Sequence, residues 1–420
     1  MTAPTTGAFR VVCHQNHGGK GTVAVIHADA TGFRASAIPA GAATGLPFER
    51  RPTFVGLDKS GAVVLLDPVS KRLNAQAALP VDALPTYAYT DQSTGRMWFV
   101  NDGDEETGND SFNCGDKGSS VTILQNAQAP KVFKTLCVGR GHHVTAFVGQ
   151  PHGKKIVFVS DLNDGTIHIV GNDEQDSATF LNILGSINLC EPEKEESKSD
   201  QIPNNAFPHG MVFSPVSGKV YNLNNGYGTI AVMDPASFKI TNRIALKGCS
   251  NLLLSPNGKF LVGKGADRKA DPDHVIGKIA VVDVSREEVV TLLDLKDVYP
   301  STFRFNPSGT KLYVTTAATG KGAQRGALKM STLLVFDATA LPKLALLKEV
   351  NVGKADCGRR PIAFRKIDST RSHIFVPNPT DGTLTILDDG SDRVVDTVRI
   401  GDGNCDEVLF SFWDGDVFGS

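Results

Sequence analysis

Two short runs share one shape: His143-Val-Thr-Ala-Phe147 and His209-Gly-Met-Val-Phe213. Each sets a histidine at the head of a mostly apolar stretch that ends on phenylalanine. Imidazole is the commonest transition-metal ligand, and its ordinary pKa suits proton transfer near neutrality. Two such histidines with a carboxylate make a metal site with open positions. The carboxylates on offer are Asp406 and Glu407, which head a third run, Asp406-Glu-Val-Leu-Phe410. A fourth run, Arg360-Pro-Ile-Ala-Phe364, begins with a guanidinium and follows Arg359. Arg51 stands in the corresponding place ahead of Thr53-Phe-Val-Gly-Leu57. Arginine grips anionic groups through paired hydrogen bonds. His142, and His14 and His17 within His14-Gln-Asn-His-Gly-Gly-Lys20, are further nitrogen donors. A bland reading stands beside each of these. The histidines are strand-end residues bound to water, and the arginines form salt bridges with Asp406 or Glu407.

The candidates lie whole segments apart, so no local motif joins them. Their spacing is not that of a zinc finger or a zincin helix. No Gly-x-Ser-x-Gly elbow, phosphate-cradling Gly-Lys-Ser/Thr loop or Cys-x-x-Cys-His haem attachment is present. The acidic stretch Asp102-Gly-Asp-Glu-Glu-Thr-Gly-Asn-Asp110 suggests calcium but fails the EF-hand pattern. A scaffold with radial geometry is needed to bring the candidates together.

The chain supplies one by repetition. Pro208 to Lys247 holds four β-type runs: His209 to Phe213, Lys219 to Asn224, Gly228 to Asp234 and Lys239 to Ala245. Turn residues split them, as at Ser214-Pro-Val-Ser-Gly218. Comparable copies lie on both sides. Four short strands in about forty residues is the signature of a β-propeller blade. The inner strands align on Thr53, Pro85 or Thr86, His143, His209, Ser250, Ser301, Arg360 and Asp406. The expected fold is therefore all-β, one closed β-propeller of four-stranded antiparallel blades. The aligned heads give eight blades; residues 50–83 look short by a strand, so seven with an irregular one is the alternative. Residues 9–40 read as outer strands without an inner one, and the C-terminus as an inner strand alone. Pairing them closes the ring and removes its open edges. The domain reading is a disordered 1–8, a propeller over 9–412 and a tail over 413–420.

At Tyr313-Val-Thr-Thr316, and in the Ser-Pro-x-x-Gly and Asp-Gly-Thr signatures, the chain resembles the YVTN-type β-propeller repeat family. Relatives of that repeat include lactonase-type propellers and the propeller domains of nitrite and nitrous-oxide reductases. The resemblance implies a fold rather than a reaction.

Strand order puts the long insertions at one end of the blades, called the loop end here. They are Gly103 to Ser120, Cys190 to Pro208, Gly265 to Gly277 and Ala317 to Ser331, with the loop from His14 to Lys20 beside them. The heads of the inner strands lie at the same end, pointing to a shared axis. Long loops on a rigid scaffold carry binding sites. Glu191 to Asp200 is highly polar and reads as a mobile spacer or as a lid over the channel mouth.

The functional expectation is a small, anionic ligand or cofactor bound at this mouth. The favoured form is a metal-dependent enzyme, an oxidoreductase, holding copper, iron or zinc. The rivals are a metal-independent lactonase-like hydrolase or isomerase, and a non-catalytic metal carrier or protein scaffold. A net charge of −2 over 420 residues points to neither nucleic acid nor an anionic membrane. No apolar run approaches the ~20 residues of a membrane helix. The first ten residues do not read as a signal peptide. The expected compartment is the cytoplasm, or the periplasm where a leader has been removed. Seven scattered cysteines, an odd number without Cys-x-x-Cys, read as reduced thiols. Should any pair oxidise, Cys114 with Cys137 comes first. Oligomeric state is not legible in the sequence.

Overall fold

The computed structural model describes residues 10–17, 20–29, 32–39, 44–46, 54–57, 62–67, 72–79, 85–91, 93–102, 114, 119–125, 131–149, 155–320, 322–356, 360–403, 407–412 and 417–419. For some of these, among them His142, His143, 407–412 and 417–419, the backbone alone is described.

Among the described residues the strands assort into eight antiparallel sheets, each strand beside the next in sequence apart from the two nearest the C-terminus. Sheet I holds Arg10–His17, Lys20–Asp29, Gly32–Pro39 and the C-terminal Glu407–Phe412. Sheet II holds Thr44–Leu46, Phe54–Leu57, Ala62–Asp67 and Arg72–Ala78. Sheet III is Pro85–Thr90, Met97–Asn101, Ser120–Leu124 and Val132–Cys137. Sheet IV is His142–Val148, Ile156–Asp161, Thr166–Gly171 and Ile183–Asn188. Sheet V is Pro208–Ser214, Lys219–Asn224, Thr229–Asp234 and Lys239–Ala245. Sheet VI is Asn251–Leu254, Phe260–Asp267, Ile276–Asp283 and Glu288–Lys296. Sheet VII is Pro300–Phe305, Lys311–Thr316, Thr332–Asp337 and Ala345–Asn351. Sheet VIII is Ala363–Lys366, Ser372–Asn378, Thr383–Asp388 and Arg393–Arg399. It gains a fifth strand, Val417–Gly419, from within the expected tail.

The two ends of the chain pair as the sequence suggests: Cys13 faces Phe410 and Asn16 faces Glu407. Compact units divide the chain. One comprises Met1–Ala77, Ala266–Gly277 and Asp294–Ser420; the other comprises Ala78–Gly265 and Lys278–Leu293.

Inside each unit both faces of a sheet are covered by neighbours. Ala146, Val148 and Phe158 of sheet IV pack with Met211, Val220 and Met233 of sheet V. The opposite face of sheet V sets Tyr221, Leu223 and Val232 against Leu252, Leu261 and Val282 of sheet VI. In the other unit, Tyr313 and Val335 of sheet VII meet Phe364 and Ile374 of sheet VIII. Burial on both sides explains why second strands such as Met97–Asn101 and Ile156–Asp161 are buried at every position rather than at alternate ones. Each large apolar side chain so buried contributes about 1.5–3 kcal/mol. Fourth strands are exposed edges: Ala345–Asn351 and Arg393–Arg399 are mostly open to solvent and carry charges that discourage edge pairing.

Polar contacts fix the register of neighbouring sheets. At the turn end, Lys219 Nζ reaches Glu287 Oε1 at 2.5 Å, and the Tyr221 hydroxyl donates to the Val284 carbonyl at 3.2 Å. The same spacing recurs from sheet VII to sheet VIII. Lys311 Nζ reaches Asp392 Oδ2 at 2.7 Å, and the Tyr313 hydroxyl donates to Asp392 Oδ1 at 2.6 Å. At the loop end, the residue closing a second strand bonds to its own third strand. Asn101 Nδ2 donates to Ser120 Oγ and Thr122 Oγ1; Asn378 Nδ2 donates to Thr383 Oγ1 and Thr385 Oγ1. Asp161 takes this place in sheet IV, accepting from Thr166 Oγ1 at 2.7 Å and pairing with His168 Nδ1 at 2.6 Å.

Two expectations need correction. Cys114 and Cys137 are joined in a disulfide, so this pair is not reduced; Cys190 and Cys249 are buried free thiols. The polar segment after Cys190 is ordered rather than loose, for reasons given below. No helix among the described residues is long and apolar enough to cross a membrane.

Candidate functional site

The heads of the inner strands carry a recurrent irregularity. In sheet IV, His142 faces Asp161 and Thr145 faces Val159, so His143 and Val144 together oppose Ser160. In sheet V, Pro208 faces Asn224 and Met211 faces Asn222, so His209 and Gly210 oppose Leu223. In sheet VII, Ser301 and Thr302 oppose Thr315 in the same way. These are β-bulges, which bend a strand and re-aim its side chains, and they gather beside active sites. A second-strand hydroxyl pins two of them: Val144 N donates to Ser160 Oγ at 3.1 Å, and Thr302 N to Thr315 Oγ1 at 3.0 Å. His143, His209 and Ser301, aligned by sequence, thus hold one structural position.

His209 is half-buried, and its Nδ1 lies 2.8 Å from the Ser250 carbonyl at the head of sheet VI. A carbonyl only accepts, so Nδ1 carries the proton of this bond. That is how a metal-binding imidazole is oriented. Gly210 lets the two sheets close up: a Cβ there would stand 2.8 Å from Leu252 N and 3.0 Å from Asn251 Cα. The strands His142–Val148 and Pro208–Ser214 run alongside each other, with Cα atoms within 8 Å.

Buried polar atoms without a hydrogen-bond partner gather at this end of sheets III to V. They include Asn101 Oδ1, Thr145 Oγ1, Asn222 Oδ1 and Asn224 Nδ2. Native proteins leave few such atoms, and each calls for an explanation.

Arg360 is placed quite differently from its expected role. It is fully buried, and each of its five N–H donors meets an acceptor of the chain. Nε donates to the Pro377 carbonyl at 2.8 Å, and Nη1 to Thr316 and Met330 carbonyls at 3.3 and 3.1 Å. Nη2 donates to the Gly353 carbonyl at 2.5 Å and to Asn378 Oδ1. A guanidinium so occupied ties sheet VII to sheet VIII and has no donor left to clamp an anionic ligand.

The other candidates are less fully placed. His14 and His17 lie in the first strand of sheet I, opposite Val23 and Lys20, not in a loop. His142 and Glu407 open strands, and only their backbones are described. Arg51, Arg359 and Asp406 lie outside the described residues. Among the described residues no three His, Cys, Asp or Glu side chains are grouped to hold a metal ion.

The segment between sheets IV and V runs directly into His209, and buried carboxylates fasten it. Glu191, 3% exposed, accepts from Lys194 Nζ at 2.7 Å, from Arg243 Nη1 at 3.1 Å and from the Thr229 hydroxyl. Glu195, 1% exposed, accepts from the Tyr227 hydroxyl, from Asn205 N and Nδ2 at 2.8 Å each, and from Gln201 Nε2 at 3.1 Å. The Tyr227 hydroxyl, then the Asn205 N–H, hold the Glu195 carboxyl below the usual carboxylate range. The sequence shows the charge of this stretch. It does not show which charges turn inward, because their partners lie in another sheet.

No family model matches the chain, and no curated protein matches it in sequence. Solved structures do. AztD from Citrobacter koseri matches with a TM-score of 0.55 and 15% identity, over 98% of each chain. A Bacteroides uniformis protein provisionally assigned as a 6-phosphogluconolactonase matches at 0.54 and 13%, over 96% of this chain and 99% of its own. Hydrazine synthase of Kuenenia stuttgartiensis matches at 0.53 and 16%, over 80% and 97%. These likenesses, with the eight-sheet all-β architecture, establish the fold as a β-propeller. At such identities they carry no reaction across.

Proposed function

We propose that the chain is a ligand-binding β-propeller of the YVTN repeat type whose loop end holds a transition-metal ion between His143 and His209. His209 supports this reading most directly. Its Nδ1 donates to the Ser250 carbonyl, the kind of backbone bond that orients a metal-binding imidazole. His143 takes the equivalent bulge in the neighbouring sheet. His142 is the candidate of the same unit to complete the shell, and copper, iron or zinc is the metal class. The metal would polarise or activate a small anionic substrate, with oxidoreductase chemistry as the favoured class. Arg360, engaged elsewhere, does not orient the anionic group. The Cys114–Cys137 disulfide favours an oxidising compartment such as the periplasm.

Elemental analysis of protein purified without chelator tests the reading. We expect bound metal, lost in a variant combining His143→Ala and His209→Ala. A metal-free wild type, or an unchanged metal content in the double variant, overturns it. Activity on lactones in a metal-free preparation would then favour the hydrolase alternative.

A further inference from the structure

We infer that Asn222 and Asn224 are positioning residues of the ligand site, a role resting on the metal reading above. The inference starts from register. Asn224 faces Pro208 and Asn222 faces Met211, so the two asparagines flank the bulge that carries His209. Both are fully buried. Asn222 Nδ2 donates to Asn224 Oδ1 at 2.8 Å, which couples the two amides. That bond leaves one acceptor, Asn222 Oδ1, and one donor, Asn224 Nδ2, with no hydrogen-bond partner. An unsatisfied buried polar group costs about 1–3 kcal/mol, so two side by side are a poor choice for a site that only needs filling.

The face they occupy is informative. Met211, opposite Asn222, and Val220, two positions before it, pack with Ala146 and Val148 of sheet IV. Strand alternation puts Asn222 and Asn224 on that same side, toward the strand that begins His142-His143. An amide pair with one open acceptor and one open donor thus faces the strand of His143 from the sheet that carries the bulge of His209. It fits the water or small anion that completes a metal's coordination shell. Asn222 Oδ1 would accept a proton of that water, and Asn224 Nδ2 would donate to the oxygen.

The test uses the full chain, stripped of metal, with Asn222→Leu and Asn224→Leu as separate variants of similar volume. Each is titrated calorimetrically with zinc(II) and copper(II) salts and melted without metal. We expect affinity to weaken about 10- to 100-fold, the range for partners that orient metal ligands. Each single variant strands the other amide and should melt somewhat lower, whereas a variant carrying both substitutions removes both partners of the bond and should hold its metal-free melting temperature. Should one variant not fold, the other carries the test. Unchanged affinity in a folded variant overturns the inference, as does, in the variant carrying both substitutions, a loss that merely follows a lowered melting temperature. A wild type that binds neither metal removes the underlying reading, a separate result from a variant that binds as tightly as wild type.

Discussion

Arg360 shows how far a side chain's neighbours can redirect the reading of its type. Five donors on five acceptors make it a knot between two sheets. Arg360→Leu would strand four carbonyls and an amide oxygen in the interior, and we expect a loss of about 3–5 kcal/mol. Urea unfolding measures this. Unaltered stability, with weakened binding of an anionic ligand, would restore the clamp reading. Nothing in the run Arg360-Pro-Ile-Ala-Phe364 announces the role, because its acceptors come from Thr316, Met330, Gly353 and Pro377. His373 gives a second case. It packs edge-on against Phe33, ring centroids 5.0 Å apart, and burial pushes its imidazole down to about 4. An unfolded histidine titrates near ~6.5. Between the two values the unfolded chain binds a proton that the native chain refuses, so stability falls as pH drops through that window. The slope is at most about 1.4 kcal/mol per pH unit. His373→Phe should flatten it, as read from melting curves at a series of pH values. An identical pH profile would mean that the ring titrates alike in the native and unfolded states.

The bulged inner strand and the segment leading into it form one element with two fixed ends. Ser250 holds one end through His209; Glu191 and Glu195 hold the other. Glu195→Ala should release residues 192–207 while the sheets persist. We expect faster cleavage within this segment by a limiting amount of protease, and a loss of about 1–3 kcal/mol in overall stability. An unchanged cleavage rate would show that Glu191 suffices as the anchor. Strand boundaries in this region are legible in the sequence, since Gly218, Gly228 and the apolar runs mark them. The bulge is not, because it depends on which residues of two strands face each other. Nor are the carboxylates that turn inward: Glu191 and Glu195 look no different in sequence from the exposed Glu193 and Glu196.

Over the whole molecule, the repeat made most of the architecture legible. Four apolar runs between turn residues predict four strands, and the complementary ends predict the pairing of Arg10–His17 with Glu407–Phe412. The pairing of Cys114 with Cys137 was legible as well, though not the fact of its oxidation. The bond closes a loop with a sequence separation of 23, which corresponds to about 3 kcal/mol of chain entropy in the unfolded state. Cys137→Ser should lower stability by that amount, and reductant should do the same to the wild type. Chemical unfolding with and without reductant checks both, and coincident curves would mean that the bond adds nothing. The lysine–tyrosine contacts between sheets V and VI, and between sheets VII and VIII, reach further than register. A blade cut out of this chain would expose a phenol and an ammonium evolved for an acceptor on its neighbour. Deletion, duplication or exchange of material within this protein should therefore succeed two blades at a time and fail when a single one is moved.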